Sequence, residues 1–313
     1  WLKELPAHLV AFSGAMAAAF TAWLLPMLVF ELCPVARAGD TVRIPSMEIA
    51  SGVHMPVLSI GTGGLESQAA STIVINWLGL GAYGIDTALI YRNQQAVGAA
   101  INASGVPRKD LFITTKIPGC MQAKASIESD LKQLGVDYID LLLIHFPGPI
   151  SARCPSTWGV LEDYHAKGVL KSIGVSNFQT KDLEAILNVA KVKPAVNQIE
   201  HNILHHDDAT IAFCQKHIIK VEAYSPLGRG NHSGDITDNK AIQGIAAAHN
   251  VSTYQVALRW ILQHGHIVTF QSSSQAHQAA DADVFGFALS AAELAALDGL
   301  QNASAASAST LFV

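Results

Sequence analysis

The amino-acid sequence predicts an α/β fold, a (β/α)8 TIM barrel preceded by a single transmembrane or signal-anchor helix. Two observations support this prediction. Short apolar segments alternate with helix-like segments from residue 44 onward, as is typical of parallel βα units, and residues 9–30 contain no charged side chain. We therefore expect a membrane-anchoring segment over residues 1–39, a barrel over residues 40–300 and a flexible tail over residues 301–313.

The composition excludes several classes of protein. Half of the 313 residues are hydrophobic, which rules out the low hydrophobicity and high net charge of a disordered chain. The formal net charge is −5 and Lys and Arg do not cluster, so we expect no nucleic-acid partner. The four cysteines form no CxxC pair, which argues against a disulfide scaffold and against a zinc ribbon.

Residues 9–30 are long enough for a membrane helix, since a rise of about 1.5 Å per residue carries them across a hydrocarbon core of roughly 30 Å. The alternative is a signal peptide that ends at the ARA stretch over residues 36–38, but signal h-regions usually run only about 7–15 residues. We expect membrane lipid as a partner through residues 9–30, in an organelle membrane after removal of a presequence. The few flanking charges leave the orientation open.

Eight predicted strands follow the apolar segment, with helices between them. The strands lie at 56–61, 83–87, 111–116, 139–146, 171–176, 195–200, 220–225 and 267–271, and the helices at 94–103, 125–134, 157–167, 181–189, 207–217 and 240–248. The strand around residues 141–144 is apolar on both faces, as a buried parallel strand must be. A doubly wound sheet is the alternative, but no G-x-G-x-x-G follows a strand, because the GTGG stretch at 61–64 lacks that spacing.

Polar residues stand at the ends of three consecutive predicted strands. Asp86 ends the second strand and Tyr91 lies just beyond it, while Lys116 ends the third strand. His145 ends the fourth. Because the carboxyl ends of barrel strands meet at one rim, we expect these four side chains to converge. An ammonium lowers the pKa of a nearby phenol and a carboxylate holds the ammonium in place, while a neutral imidazole orients a carbonyl oxygen. The set predicts a site that protonates an aldehyde or ketone oxygen while another group supplies hydride.

Six segments of the chain, in order between about residues 46 and 299, resemble the aldo-keto reductases. They are SGVHMPVLSIGTG, GIDTALIYRNQQAVGAAI, DYIDLLLIHFPGP, GVSNF, PAVNQIE and VEAYSPLG. The resemblance implies that Tyr91 is the general acid, activated by Lys116 and Asp86, and that His145 orients the carbonyl group. It also implies NADPH as the usual hydride donor and no metal. The cofactor-binding residues that it implies are Ser176, Asn177 and Gln198 at the nicotinamide carboxamide, Tyr224 on its ring, and Ser225 and Leu227 along the pyrophosphate.

One part of the family pattern is missing, the pair of cations that holds the adenosine 2′-phosphate. Gln271 stands in place of the lysine and His277 in place of the arginine, with Ser272 between them and Asp281 nearby. Charge-assisted hydrogen bonds contribute roughly 1.5–3 kcal/mol each, so we expect weak NADPH selectivity and leave the preference between NADP(H) and NAD(H) open. On the substrate side, Gly63 stands where many relatives carry an aromatic residue.

Two functions fit these observations. The first is a membrane-tethered, NAD(P)H-dependent oxidoreductase that reduces a small carbonyl substrate, and the complete set of four polar groups favours it. The second is a catalytically weak or inactive barrel that serves as a structural or accessory subunit of a membrane protein complex. The HHDD stretch at residues 205–208 is interpreted as a solvated helix start rather than a metal site, because acidic residues are favourable near a helix N-terminus.

Overall fold

The computed structural model describes residues 42–148, 153–228 and 233–301. The predicted membrane segment at 9–30 and the predicted tail beyond residue 301 lie outside these ranges. Within the ranges, no helix is both long and apolar enough to cross a membrane. Nothing in the described structure therefore supports the membrane helix that the sequence predicts ahead of the barrel.

An antiparallel hairpin precedes the barrel. Its strands are β1 (Ser46–Ala50) and β2 (Val53–Pro56). Met55 is fully buried in an apolar cluster with the first residues of several barrel strands, among them Phe112 and Ile267. Because parallel strands begin at the same end of a barrel, the hairpin covers the amino-terminal end. The sequence analysis did not predict this hairpin, since it assigned Pro56 to the first barrel strand.

Eight parallel strands then close into a barrel in chain order, with the last paired to the first. They are β3 (Leu58–Gly61), β4 (Gly84–Asp86), β5 (Phe112–Ile117), β6 (Ile139–Ile144), β7 (Leu170–Ser176), β8 (Val196–Glu200), β9 (Lys220–Tyr224) and β10 (Ile267–Phe270). This architecture confirms the predicted (β/α)8 barrel, and each predicted strand end lies within two residues of the observed one. Nearly all of β6 is buried, as expected for a parallel strand covered on both faces.

Helices connect the strands. In the described ranges they are α1 (Ser67–Gly79), α2 (Gln94–Ser104), α3 (Ala123–Leu134), α4 (Cys154–Ala166), α5 (Thr180–Leu187), α6 (Asp208–Lys216), α7 (Ser233–Thr237), α8 (Lys240–His249), α9 (Thr253–Gln263), α10 (Gln275–Ala282) and α11 (Ala291–Asp298). The six predicted helices are confirmed, including the start of α6, where Asp207 accepts a hydrogen bond from the Thr210 N–H at 3.0 Å. The sequence analysis gave no bounds for α1, α7, α9, α10 and α11, and in α9 residues 256–262 are all buried.

A disulfide joins Cys120 to Cys154. Cys120 lies in the loop after β5 and Cys154 is the first residue of α4, so the bond links two neighbouring βα segments at the carboxyl end of the barrel. The cysteine pattern did not predict this pair. The two residues are 34 positions apart, and only the pairing of β5 with β6 brings them together.

Candidate active site

A buried ion pair lies inside the carboxyl end of the barrel. Lys116 on β5 is fully buried, and its Nζ donates to both carboxylate oxygens of Asp86, at 2.6 and 2.8 Å. A third hydrogen bond runs from Nζ to the carbonyl oxygen of Thr87, at 3.0 Å. Burial lowers the pKa of Lys116, but the hydrogen bond to Asp86 and the attraction of Asp86, Tyr91 and Glu222 together outweigh this effect and leave the pKa above its ordinary value. Lys116 is therefore a charged ammonium at neutral pH.

Tyr91 ends a short 3-10 helix, Leu89–Tyr91, that follows β4, and the centroid of its ring lies 5.3 Å from Lys116 Nζ. Burial raises the pKa of the phenol, and the opposing effect of Lys116 does not cancel this rise. Lys116 acts on the pKa of Tyr91 in the expected direction, lowering it, but burial and the carboxyl groups of Asp86 and Glu222 raise the pKa by more. Gly63 borders the ring so closely that a Cβ at this position would lie 3.2 Å from Tyr91 Cζ, so glycine keeps this end of the ring open.

A cavity of about 920 Å³ opens beside these groups. Every residue that the sequence predicts for the site lines this cavity, except Lys116 and Ser176, which are fully buried behind it. From Tyr91, the cavity extends past β9 to α10, where His277 and Asp281 line its outer end. The predicted catalytic and cofactor-binding residues are thus gathered around one continuous space.

His145 follows β6 and meets Tyr91 edge to face, with ring centroids 5.6 Å apart. Phe146 stacks on the imidazole at a centroid distance of 4.4 Å. Burial and, to a smaller extent, Lys116 lower the pKa of His145 to about 3, so the imidazole is neutral at physiological pH. Its Nδ1 is buried and has no hydrogen-bond partner among the described residues. Because an orphaned N–H is rarer than an orphaned acceptor, the proton belongs on Nε2, the nitrogen left to face the cavity.

Hydrogen bonds tie the predicted nicotinamide-binding residues to one another. The Tyr224 hydroxyl donates to Asn177 Oδ1 at 2.7 Å, and Asn177 Nδ2 donates to the carbonyl oxygen of His145 at 3.0 Å. Ser176 Oγ donates to the carbonyl oxygen of Gln198 at 2.9 Å. Ser176 has no exposed surface, so in this structure it supports Gln198 and does not line the cavity. These hydrogen bonds fix the position of the Tyr224 ring on the side of the cavity.

No lysine or arginine lines the outer end of the cavity among the described residues. Gln271 Nε2 donates to the carbonyl oxygens of Gly63, at 2.8 Å, and Gly61, at 3.2 Å, so this amide joins β10 to the loop after β3. Asp281 is nearly buried there, and burial raises its pKa to about 6. A buried carboxyl group and an engaged amide are poor partners for a phosphate dianion.

Sequence reasoning missed one buried polar residue of this site. Glu222 lies in the middle of β9, has no exposed surface and accepts a hydrogen bond from Gln198 Nε2 at 2.8 Å. The signal was present in the sequence, because a lone carboxyl residue between Val221 and Ala223 in a predicted buried strand requires a partner. The partner itself lies on another strand and could not be read from the local pattern.

Comparisons with known proteins agree with this geometry. The family model described as the aldo/keto reductase family matches residues 57–302. An aldo-keto reductase of Mycolicibacterium smegmatis is 39% identical over 271 residues, which cover 85% of this chain and 94% of the relative.

Two solved structures show the same architecture. An aldo/keto reductase from Brucella melitensis has a TM-score of 0.78 and 36% identity, covering 82% of this chain and 100% of the other. An aldo-keto reductase of Bombyx mori, solved in complex with NADP, has a TM-score of 0.76 and 30% identity, covering 83% of this chain and 94% of its own. The similarity extends over the barrel and over both ends of the cavity, since the matched family region runs from β3 to α11.

Proposed function

Since the chain belongs to the aldo/keto reductase family, whose members are NAD(P)H-dependent oxidoreductases, we propose that it reduces aldehydes or ketones to alcohols with Tyr91 as the proton donor. The observation that carries this proposal is the meeting of Tyr91 and His145 on the cavity wall beside the buried Lys116–Asp86 pair. A carbonyl oxygen between the two rings would contact a phenol and a neutral imidazole at once.

Tyr91 carries its proton at neutral pH, because the pKa of a phenol is about 10 and burial raises it further. As the carbonyl oxygen gains negative charge, the proton moves from the phenol to that oxygen and leaves a phenolate. Lys116, with its Nζ 5.3 Å from the ring centroid, stabilises the phenolate electrostatically. Asp86 holds the ammonium in position through two hydrogen bonds. The ion pair therefore assists proton transfer without losing its own proton.

His145 would orient the substrate. Its pKa of about 3 keeps the imidazole neutral. Because Nδ1 is buried, Nε2–H is the group that faces the cavity. A hydrogen bond from this N–H to the carbonyl oxygen polarises the carbonyl group and fixes its distance from Tyr91. Phe146, stacked on the imidazole, restrains the rotation of the ring.

The cavity fits a nicotinamide dinucleotide in size and lining. The Tyr224 ring, held by its hydrogen bond to Asn177, offers a flat surface to a planar ring, and Gln198 lines the same end. The loop over residues 225–228 and the residues Ser272 and His277 line the path toward α10. When bound, such a cofactor supplies the hydride that the carbonyl carbon accepts. The NADP complex of the Bombyx mori relative supports this assignment.

The proposal is tested by the substitution Tyr91→Phe. We expect kcat for the reduction of aldehydes or ketones to fall by about 10²–10⁴-fold, because the variant lacks the transferable proton but keeps the aromatic ring. The measurement is oxidation of NADPH or NADH with a panel of small carbonyl compounds. Cofactor binding and the circular dichroism spectrum should not change.

The matched control for this test is Tyr83→Phe, which removes a hydroxyl group just before the amino-terminal end of β4, away from Lys116. This control should keep the activity of the unmodified protein. Equal turnover in Tyr91→Phe and the unmodified protein would remove Tyr91 from the role of proton donor. Comparable losses in both variants would point to a general disturbance of the barrel.

Weak NADPH selectivity also belongs to this proposal. Its support is the engagement of Gln271 with the backbone, together with the Asp281 carboxyl group at the outer end of the cavity. The family match does not favour the alternative of an accessory subunit. Membrane attachment through residues 9–30, the organelle location and other subunits stay predictions from the sequence, since residues 9–30 lie outside the described part of the chain.

A further inference from the structure

Glu222 is a buried carboxyl group that the reaction proposed above does not use. It lies on β9 directly opposite Gln198 on β8 and Ile267 on β10, and its side chain has no exposed surface. Its Oε2 accepts a hydrogen bond from Gln198 Nε2 at 2.8 Å, while its Oε1 is buried without a partner among the described residues. A buried carboxyl group with one unsatisfied oxygen is unfavourable for stability, so its presence requires an explanation.

Gln198 bridges Glu222 to the ion pair. The same Nε2 that donates to Glu222 also donates to Asp86 Oδ2 at 2.8 Å, so both hydrogens of the amide are used. Reversing the amide would place its oxygen against two carboxyl groups, which is electrostatically unfavourable. The amide oxygen of Gln198 is therefore the polar atom left to face the cavity that this residue lines.

We propose that Glu222 is a positioning residue for carbonyl reduction: it fixes the orientation of the Gln198 amide, and its own charge state sets how readily Tyr91 gives up its proton. This inference rests on the proposed function. Glu222 does not touch the reacting atoms and acts through Gln198 and through the electrostatic potential at the ion pair.

The charged groups inside the barrel determine whether ionisation of Glu222 raises or lowers the pKa of Tyr91. Asp86 faces Glu222 from β4, Lys116 from β5 and Tyr91 from the short helix after β4, while the partner on β10 is the apolar Ile267. Burial, followed by repulsion from Asp86, raises the pKa of Glu222 to about 8. Below that pH the Lys116 ammonium is paired with one carboxylate, that of Asp86. Above it, Glu222 becomes a second carboxylate beside the pair. This second negative charge raises the pKa of Tyr91 further and makes the phenol a weaker acid.

The experiment compares the pH dependence of kcat in the unmodified protein with that in Glu222→Gln and Glu222→Leu. Glutamine keeps an acceptor for Gln198 but cannot ionise, whereas leucine removes both the acceptor and the charge. We expect kcat of the unmodified protein to fall by up to about tenfold between pH 7 and pH 9. Glu222→Gln should lack this fall and keep activity at pH 7 within about threefold. Glu222→Leu should raise the cofactor KM, because the Gln198 amide then keeps only its hydrogen bond to Asp86 and is less well fixed.

Asp130→Asn is the matched control. Asp130 on α3 is also a buried carboxyl group whose pKa is raised by burial, to about 7, and it also accepts from a glutamine amide, Gln94 Nε2, at 2.6 Å. It does not line the cavity. This variant should keep the alkaline fall of the unmodified protein. The same alkaline fall in Glu222→Gln as in the unmodified protein would overturn the inference.

A second measurement separates failure of this inference from failure of the proposed function. The absorbance of tyrosinate is titrated without substrate, with Tyr91→Phe as the reference that identifies the signal of Tyr91. Glu222→Gln should lower the pKa of Tyr91, since the second carboxylate is gone. If no carbonyl compound is reduced but this shift is seen, the proposed function fails and the electrostatic link survives. An unchanged Tyr91 titration would refute the inference even in an active enzyme.

Discussion

The protonation states of three side chains at the carboxyl end of the barrel are set by burial and by the Lys116–Asp86 ion pair. Lys116 stays charged because Asp86 lies 2.6 Å from its Nζ. His145 stays neutral because burial, assisted by the same ammonium, disfavours a second positive charge. Tyr91 stays protonated because burial outweighs the attraction of Lys116 for a phenolate. At neutral pH each group is therefore in the form that carbonyl reduction requires.

We expect single residues also to decide the choice between the two nicotinamide cofactors. We expect the double substitution Gln271→Lys and His277→Arg to raise the ratio of kcat/KM for NADPH to kcat/KM for NADH by about 10²-fold or more. The reason is that two charge-assisted hydrogen bonds to a phosphate dianion contribute roughly 1.5–3 kcal/mol each. The measurement is steady-state kinetics with both cofactors and one carbonyl substrate.

The single variant His277→Arg controls for the structural role of Gln271, whose amide holds the carbonyl oxygens of Gly61 and Gly63. It should shift the ratio in the same direction by a smaller factor. Kinetics with NADH should change little, because NADH carries no phosphate at that position. A ratio that stays constant in both variants would mean that the 2′-phosphate does not reach this end of the cavity.

At the level of secondary-structure elements, the Cys120–Cys154 disulfide restrains the backbone next to the site. It fastens the loop after β5 to the start of α4, and Cys120 Sγ lies 4.0 Å from the carbonyl oxygen of Phe146. The backbone that carries Phe146 and the preceding His145 therefore lies against a cross-link. Local opening of this part of the barrel requires the two segments to separate, which the disulfide prevents.

Reduction of this disulfide should destabilise the protein. Closing a loop of 34 residues lowers the entropy of the unfolded chain, so we expect the free energy of unfolding to fall by about 2–4 kcal/mol when the bond is removed. The measurement is urea denaturation with and without dithiothreitol. The double variant Cys120→Ala with Cys154→Ala should be equally destabilised and insensitive to the reductant. A midpoint that does not move although thiol titration shows complete reduction would contradict the expectation.

Across the whole molecule, barrel closure brings together residues that are far apart in the chain. Gln198 and Asp86 are separated by 112 positions and share a hydrogen bond inside the barrel. Outside it, His201 in the loop after β8 stacks on Trp260 of α9, with ring centroids 5.0 Å apart, and meets the His266 ring at 5.1 Å. Both ring nitrogens of His201 are buried and have no hydrogen-bond partner in the described ranges.

This histidine cluster should make stability depend on pH. Burial, followed by repulsion from neighbouring histidines, lowers the pKa of His201 to about 2, whereas a histidine in the unfolded chain titrates near about 6.5. Below that pH the unfolded chain binds a proton that folded His201 does not bind, so its contribution to stability is lost as the pH falls. We expect His201 to lower the free energy of unfolding by about 1–2 kcal/mol between pH 7 and pH 5, measured by urea denaturation.

The variant His201→Phe isolates this contribution, because phenylalanine keeps the stacking on Trp260 and cannot take up a proton. Its stability should fall less than that of the unmodified protein over the same pH interval. His54→Gln serves as the control, since His54 is exposed on the hairpin before the barrel. Identical pH dependence in His201→Phe and the unmodified protein would show that His201 is protonated in the folded state.

The barrel and the four polar groups of the candidate site could be predicted from the chain because they depend on short segments. Short, largely apolar stretches mark the barrel strands, which are three to seven residues long, and Asp86, Lys116 and His145 stand where three of these strands end. The missing cations at positions 271 and 277 are likewise visible as residue types in one motif. These patterns lie within short segments of the chain, so they can be recognised without knowing how the barrel closes.

The Cys120–Cys154 bond, the contact of Glu222 with Gln198 and the raised pKa of Tyr91 became apparent only in the folded protein. Each depends on the distance between segments that are remote in sequence, or on the exclusion of water from the space between them. The unfolded chain has neither these short distances nor this exclusion of water, because both arise when the eight strands close into the barrel.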